Sequence, residues 1–144
     1  MQLHATSRNA RPRRARSTRS VARRAPAVRN EHAEQVALVA WARLHEHRLP
    51  GLALLFAIPN GGRRDAVTGA RLKAEGVKAG VPDLFLSVAR RGFHGLFIEL
   101  KAPGGAASPE QRNWIARLRQ AGYAAEVCCG WEAAALTLTH YLED

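Results

Sequence analysis

The chain has 144 residues, of which 47% are hydrophobic, and its formal net charge is +10. This length suits a single domain with a real core and excludes two, while the positive charge indicates an anionic partner. No apolar run approaches the roughly 18 residues needed to span a bilayer, and no secretory signal is evident, so we expect a cytoplasmic protein without a membrane partner.

Residues 1–30 form an N-terminal arm with nine arginines and no acidic residue, which leaves 13 basic and 12 acidic residues in the remainder. An arm of this composition cannot bury enough apolar surface to order itself, so we predict that it is disordered. It would add salt-sensitive attraction to nucleic-acid phosphates. A transit peptide, or a misassigned start codon, would account for the arm equally well. Residues 31–144 form the predicted folded domain.

The first half of this domain predicts a helix, a strand and a short helix. Apolar residues at helical spacing in "EHAEQVALVAWARLHEH" predict a helix from Glu31 that ends before Pro50. The apolar run Leu52 to Ile58, closed by Pro59, predicts a buried strand. "PNGGRR" predicts a turn, and "DAVTGARLKAEG" predicts a short helix that ends at Gly76.

The second half predicts two strands, a helix, a strand and a closing helix. "DLFLSVA" and "HGLFIELKA" are apolar runs with a tight connection between them. In "SPEQRNWIARLRQAG", Ser108 is an N-cap, Pro109 stands at the first helical position, and Gln111 completes a capping box. "YAAEVCC" predicts a strand and "GWEAAALTLTHYLED" a helix. The fold class is therefore α/β, with a small mixed β-sheet flanked by helices.

Three charged residues occur in or beside the two strands that should be buried, where an unpaired charge is costly. Side chains alternate along a strand, so Glu99 and Lys101 point to one face. If the strand after Asp83 pairs with the strand of Glu99, two carboxylates and an ammonium converge. Such a group suits Mg²⁺, which prefers oxygen ligands and keeps several waters. The bound ion could polarise a phosphodiester and activate water.

The same three charged residues also allow a purely structural interpretation. Glu99 and Lys101 could form an ordinary ion pair at an exposed strand end, with Asp83 capping a turn after Pro82. A histidine metal site is not expected, because His45 and His47 do not share a helical face. The adjacent cysteines 128 and 129 match neither a zinc site nor a disulfide framework.

Taken together, the motifs resemble one nuclease family. "GVPDLFL", followed after a short hairpin by "GLFIELKAPG", resembles the PD-(D/E)xK nuclease superfamily and in particular its VRR-NUC domain family. "EHAEQVAL", "FAIPNGG", "AEGVKAGVPD" and "SPEQRNWIARLRQAGY" extend the resemblance over residues 31–144 and leave out the arm. The resemblance implies a restriction-endonuclease-like core.

It also implies roles for individual residues. Asp83 and Glu99 would bind the metal, with the main-chain carbonyl of Leu100 as a further ligand, and Lys101 would be the catalytic lysine. A glutamate of the first helix would complete the site. Glu31 fits this place best and Glu34 is the reserve, and the sequence alone does not choose between them.

Several further residues are candidates for contacts around this site. In the loop after the first strand, glycines allow a close backbone approach to a phosphate and the neighbouring arginines supply charge, although a plain turn is an equally good interpretation. These loop residues are Asn60, Gly61, Gly62, Arg63 and Arg64. Lys78 is a candidate phosphate contact. Gln35 and Gln111 would support the site, and each has an ordinary helical role as its alternative.

The predicted function is that of a Mg²⁺-dependent endonuclease, with Mn²⁺ as a substitute ion, which hydrolyses DNA by metal-activated water. Structured substrates such as junctions or flaps fit this activity. The alternatives are a catalytically inactive nucleic-acid-binding module and a basic architectural DNA-binding protein. The resemblance makes a homodimer and a helicase or replication/repair partner plausible, and the high Ala and Arg content suggests bacterial or phage origin.

Overall fold

The computed structural model describes residues 30–59 and 66–143. The predicted arm and the five candidate loop residues 60–64 lie outside the described residues, apart from Asn30 at the end of the arm. In the described ranges no helix is both long and apolar enough to cross a membrane.

The helices lie where the sequence predicts them. Helix α1 is Glu31–His45, α2 is Ala66–Ala74, α3 is Pro109–Gln120 and α4 is Trp131–Leu142. Helix α3 begins with the complete capping box: the Ser108 hydroxyl accepts the Gln111 N–H, and the Gln111 side chain accepts the Ser108 N–H. These bonds satisfy main-chain donors that the first helical turn would otherwise leave free.

Four strands form one mixed sheet in the order β1-β2-β3-β4. They are β1 (Leu55–Ala57), β2 (Leu84–Leu86), β3 (Leu96–Lys101) and β4 (Ala124–Cys129). The pairs β1/β2 and β2/β3 are antiparallel, and β3/β4 is parallel, with α3 as the crossover. The predicted α/β class with a small mixed sheet and flanking helices is confirmed.

The hydrophobic core lies between one face of this sheet and the helices α1 and α4. Leu96, Ile98 and Leu100, which alternate along β3, are buried in one cluster with Leu38 of α1 and Leu138 of α4. Because side chains alternate, Phe97, Glu99 and Lys101 belong to the opposite face. Helix α3 packs over part of that second face, where its residue Ile115 is buried.

The first predicted strand is wrong in its first half. Residues Pro50–Leu54 form a 3-10 helix, and the strand covers only Leu55–Ala57. Pro50 stands at the start of this helix, where its fixed φ favours a helical turn and its missing N–H costs nothing. A short apolar run does not distinguish a strand from such a turn. Strands β2 and β3 are likewise shorter than the apolar runs that predict them.

Candidate active site

Asp83, the residue directly before β2, lies opposite Glu99 of β3. The register of β2 and β3 pairs Leu84 with Ile98, so the next position pairs Asp83 with Glu99, on the face away from the main core. The Asp83 carboxylate accepts the main-chain N–H of Leu100 at 2.8 Å. Leu100 is therefore tied to Asp83 through its backbone, and the two carboxylates are held side by side.

Lys101 lies between two glutamates. Its Nζ is 2.9 Å from Oε1 of Glu99 and 3.2 Å from Oε1 of Glu31. The Lys101 side chain is 8% exposed, and that of Glu99 is fully buried. Two residues of one strand therefore form a buried ion pair, and the first turn of α1 supplies a second carboxylate to the same ammonium.

Gln111 fixes the orientation of the Glu99 carboxylate. Its Oε1 accepts the Ser108 N–H at 2.8 Å within the capping box, so its Nε2 is directed at Glu99, whose Oε1 it meets at 2.5 Å. Oε1 of Glu99 thus receives hydrogen bonds from both Gln111 and Lys101. Oε2 of Glu99 is buried and has no hydrogen-bond donor among the described residues.

An open cleft of about 370 Å³ gives access to this group from the side of α1. Asp83, Glu31 and Leu100 line it, while Glu99 and Lys101 are buried behind. The other lining residues are His32, Gln35, Ala57, Ile58 and Pro59. Ile58 also donates its N–H to the main-chain oxygen of Asp83 at 2.7 Å, which ties the end of β1 to the site.

Glu34 has a separate position. It is buried, and its Oε2 accepts the N–H of Trp131 at 2.8 Å, at the start of α4. A carboxylate at a helix N-terminus satisfies a free N–H and meets the positive end of the helix dipole. The structure therefore brings Glu31, and not Glu34, to Lys101, while Glu34 joins α1 to α4.

Burial and neighbouring charges shift the pKa values of the central group. Burial raises the pKa of Glu99 to about 7, and the negative charge of Asp83 acts in the same direction against the stabilising Lys101. Burial also raises the pKa of Asp83, although the Leu100 N–H and Lys101 partly oppose it. Burial alone would lower the pKa of Lys101, but its bonds to Glu99 and Glu31 outweigh that effect and raise it. Lys101 is consequently an ammonium at neutral pH.

Comparison with known proteins identifies the family. A model of the VRR-NUC domain matches residues 17–131. The chain belongs to the VRR-NUC domain family. The match begins within the predicted arm, 14 residues before the predicted domain boundary at 31. The family is one of nuclease-type domains, as the resemblance in the sequence predicts.

A solved structure shares this fold. A protein described as "VRR_NUC domain protein" is 29% identical, with a TM-score of 0.69, and the match covers 80% of this chain and 89% of that one. No curated protein matches the chain significantly.

The residues of this VRR-NUC domain fit a hard divalent cation. Within residues 30–59 and 66–143, no three His, Cys, Asp or Glu side chains form a group that could hold a metal by themselves. Mg²⁺ does not require such a cage, because it binds through one or two carboxylates and keeps water in its other positions. Glu99 Oε2 is a buried acceptor without a donor in the described part of the chain, and Asp83 lies opposite Glu99. That pair is the kind of donor set Mg²⁺ takes.

The remaining predicted site residues lie farther out. Gln35 lines the cleft beside Glu31. Lys78 is exposed and lies outside the cleft, with its Nζ 6.0 Å from the centre of the Trp114 ring. It lines a neighbouring hollow that also includes Ile58 and Pro59.

Sequence reasoning missed two features of the site. His32 lines the cleft next to Glu31. Its position beside Glu31 in the first turn of α1 could have indicated from the sequence that it lies near the site. The role of Glu34 had no local signal, because its partner Trp131 is 97 residues away.

Proposed function

We propose that this VRR-NUC domain hydrolyses phosphodiester bonds in DNA and that Mg²⁺, or Mn²⁺ in its place, is its cofactor. The observation that carries the proposal is the group of Asp83, Glu99 and Lys101, in which Glu99 and Lys101 are buried and Oε2 of Glu99 has no donor among the described residues. A buried carboxylate oxygen without a partner is costly. A cation held between Glu99 and Asp83, with the Leu100 carbonyl and water, would remove that cost.

Hydrolysis of the phosphodiester would combine the chemistry of a bound metal ion with the attack of a water molecule on phosphorus. When bound, Mg²⁺ would polarise the phosphodiester, lower the pKa of a bound water and offset charge in the transition state. The water oxygen forms the new bond to phosphorus as the bond to the leaving oxygen breaks, and the water proton passes to solvent or phosphate. The leaving oxygen takes a proton from solvent.

Lys101 supplies positive charge and orientation in this scheme. Its pKa is raised by the bonds to Glu99 and Glu31 despite burial, so its ammonium is suited to hold the attacking water and to neutralise phosphate charge. A preorganised charge of this kind costs no reorganisation during the reaction. Glu31, at 56% exposure, is the more accessible partner of Lys101, and it would complete the water shell of the metal at the mouth of the cleft.

Gln111 and Gln35 support this arrangement from two helices. The capping box holds Gln111 in place, so Glu99 Oε1 stays bonded to Gln111 and Lys101 and Oε2 stays directed away from them. Gln35 lies in the cleft beside Glu31, where its amide can reach a water or a phosphate oxygen. Lys78 and the loop residues 60–64 remain candidates for contacts to the DNA backbone.

The experiment is a cleavage panel with labelled duplex, nicked, flap and four-way-junction DNA in Mg²⁺, Mn²⁺ or EDTA. The near-isosteric variants Asp83→Asn, Glu99→Gln and Lys101→Met are compared with the wild type. We expect metal-dependent cleavage that falls at least about 100-fold in each variant, with binding to the same DNA in EDTA retained. The control Glu132→Gln, at an exposed residue of α4, should cleave normally.

Two results would contradict the proposal. Binding without cleavage on every substrate and with either ion would favour a catalytically inactive binding module. Cleavage that persists in EDTA, or in Asp83→Asn, would place the chemistry elsewhere.

A further inference from the structure

Three phenylalanines form a row across the sheet. The register pairs Phe56 of β1 with Phe85 of β2, and Phe85 with Phe97 of β3. The three side chains therefore lie on one face, directly opposite one another. We call Phe56, Phe85 and Phe97 the aromatic row.

The rings of this row contact each other and Tyr123. Phe85 and Phe97 are stacked with their centroids 4.3 Å apart, and Phe56 meets Phe85 edge-on at 5.6 Å. Tyr123 packs edge-on against Phe97 at 5.3 Å. Such pairs stabilise a sheet, but they do not bury the rings completely. Phe56 is 52% exposed, and Phe85, Phe97 and Tyr123 are partly exposed.

Gly95 makes room for the row. A Cβ at this position would lie 2.6 Å from Cε2 of Phe85 and 2.9 Å from the main-chain oxygen of Leu86. Any side chain at residue 95 would therefore clash with Phe85 and require its ring to move. With glycine there, the ring lies close against the backbone beside Phe97.

The aromatic row lies next to the candidate active site on the same face. Phe85 follows Asp83 by two residues, and Phe97 precedes Glu99 by two. Two residues along a strand span about 6.6 Å, at about 3.3 Å per residue. A polynucleotide whose phosphate is at Asp83 and Glu99 would thus have its next bases within reach of the row.

We propose that the aromatic row binds unpaired bases of the nucleic-acid strand that enters the active site, an inference that rests on the proposed nuclease function. Exposed aromatic rings on a sheet surface stack single-stranded bases in several nucleic-acid-binding domains. Bases stacked within a duplex present no free ring face, so the row would discriminate between single strands and duplex.

Two observations favour this occupant over an apolar partner. Asp83, the partly exposed carboxylate of the proposed active site, lies two residues from Phe85 on the same face, so one bound strand could place a phosphate at Asp83 and a base on the row. Its rim also carries His94, whose ring lies 5.5 Å from that of Tyr123 and which can act as a hydrogen-bond donor to a phosphate. A second copy of this chain is the main competing occupant, and the experiment distinguishes it.

The test measures binding in EDTA, where cleavage is absent. The probes are a labelled single-stranded oligonucleotide carrying 2-aminopurine and a blunt duplex of the same sequence. The variants are Phe56→Leu, which removes the ring at an exposed position, and Phe56→Trp, which keeps a stacking surface. Tyr123→Leu is a second test of the row. Phe93→Leu is the matched control, because Phe93 is also exposed, at 41%, but lies outside the row.

We expect Phe56→Leu and Tyr123→Leu to weaken single-strand binding at least about fivefold, since each removes a ring on which a base can stack. They should also reduce the quenching of 2-aminopurine fluorescence and leave duplex binding within about twofold. Phe56→Trp and Phe93→Leu should bind as the wild type does. In Mg²⁺, Phe56→Leu should slow cleavage of flaps more than of nicked duplex.

Equal losses on both probes, no loss in either leucine variant, or a wild type that does not bind single strands would overturn the inference. A wild-type dimer in sedimentation that dissociates in Phe56→Leu would assign the row to a second copy of the chain. The same experiment separates this inference from the proposed nuclease function. A protein that binds single strands in EDTA but never cleaves DNA in Mg²⁺ would support base binding by the aromatic row and contradict the nuclease activity.

Discussion

At the scale of single residues, the site depends on how each oxygen of Glu99 is used. Oε1 is bonded to Lys101 and Gln111, whereas Oε2 has no donor among the described residues. The bond from the Ser108 N–H to the Gln111 oxygen fixes the amide so that its nitrogen donates to Glu99. A residue that caps a helix therefore also orients a carboxylate. Replacing Gln111 by Glu would keep the cap acceptor but set a second carboxylate against Glu99.

The raised pKa of Glu99 predicts a pH-dependent stability in the absence of metal. Burial, aided by the charge of Asp83, raises this pKa from 4.5 to about 7. A carboxyl group with a raised pKa in the folded state stabilises the fold fully below about pH 4.5, and this contribution is lost as the pH rises through about 7. Burial raises the pKa of Asp83 as well, so both groups act in the same direction.

The measurement is urea unfolding of the wild type and of Glu99→Gln, in EDTA, at about pH 5 and about pH 7.5. We expect the free energy of unfolding of the wild type, relative to the variant, to fall over this interval. Adding Mg²⁺ should restore it at the higher pH only, because the ion binds ionised carboxylates. A difference that is constant with pH, in the presence and absence of Mg²⁺, would contradict this account.

At the scale of secondary structure, local sequence signals predict that a helix or strand is present. Long-range contacts determine where it ends and which of its side chains meet at the site. The signals of α3 lie within four residues, Ser108 to Gln111, and they give its start correctly. Strand alternation places Glu99 and Lys101 on one face, but only the register with β2 sets Asp83 opposite Glu99. The run Leu52 to Leu54 is apolar in either state, so its 3-10 conformation could not be predicted from hydrophobicity.

Glu34 shows what the sequence could not provide at this scale. Its carboxylate accepts the Trp131 N–H at the start of α4, and it lies three residues after Glu31 on the same helix. We expect Glu34→Ala to lower the free energy of unfolding by about 2 kcal/mol, since it leaves the partly buried Trp131 N–H without its acceptor. Glu34→Gln retains an acceptor and should cost less than about 1 kcal/mol.

Urea unfolding checks this prediction, with Glu132→Ala as the control. Glu132 is an exposed carboxylate in the first turn of the same helix, so its removal tests the helix dipole without the buried hydrogen bond. We expect that control to change the free energy of unfolding by no more than about 0.5 kcal/mol. Equal losses in Glu34→Ala and Glu132→Ala would show that Glu34 contributes only its charge.

At the scale of the whole molecule, most of the positive charge and the proposed catalytic group belong to different parts of the sequence. The nine arginines of residues 1–30 account for most of the net charge of +10, while the folded part presents a cleft lined by Glu31 and Asp83. A cleft with two carboxylates attracts DNA phosphates only when a cation is bound, so binding without metal would depend on other parts of the chain. The arginines of the arm would then attract DNA phosphates over longer distances, and a bound metal ion would attract a phosphate at the cleft itself.

This division predicts how binding depends on salt. Residues 1–16 carry five arginines, at positions 8, 11, 13, 14 and 16, and they precede the family match, which begins at 17. Each phosphate that the arm neutralises adds about 0.9 to the slope of log K against log salt on duplex DNA. Replacing all five arginines by Gln should therefore reduce the slope by up to about 4.5.

The matched control replaces the same five arginines by Lys, which keeps the charge and should keep the slope. Duplex affinity is measured for the three proteins over a range of salt concentrations, together with cleavage in Mg²⁺. We expect the Gln variant to bind DNA more weakly at low salt and to converge with the other two at high salt, because the electrostatic contribution is then screened. Its cleavage at saturating DNA should be unchanged, since in the proposed mechanism the arginines would assist encounter and the group of Asp83, Glu99 and Lys101 would act on the phosphodiester bond. An unchanged slope would show that the arm does not contact the duplex, and a complete loss of binding at every salt concentration would make the arm, and not the folded domain, the DNA-binding part.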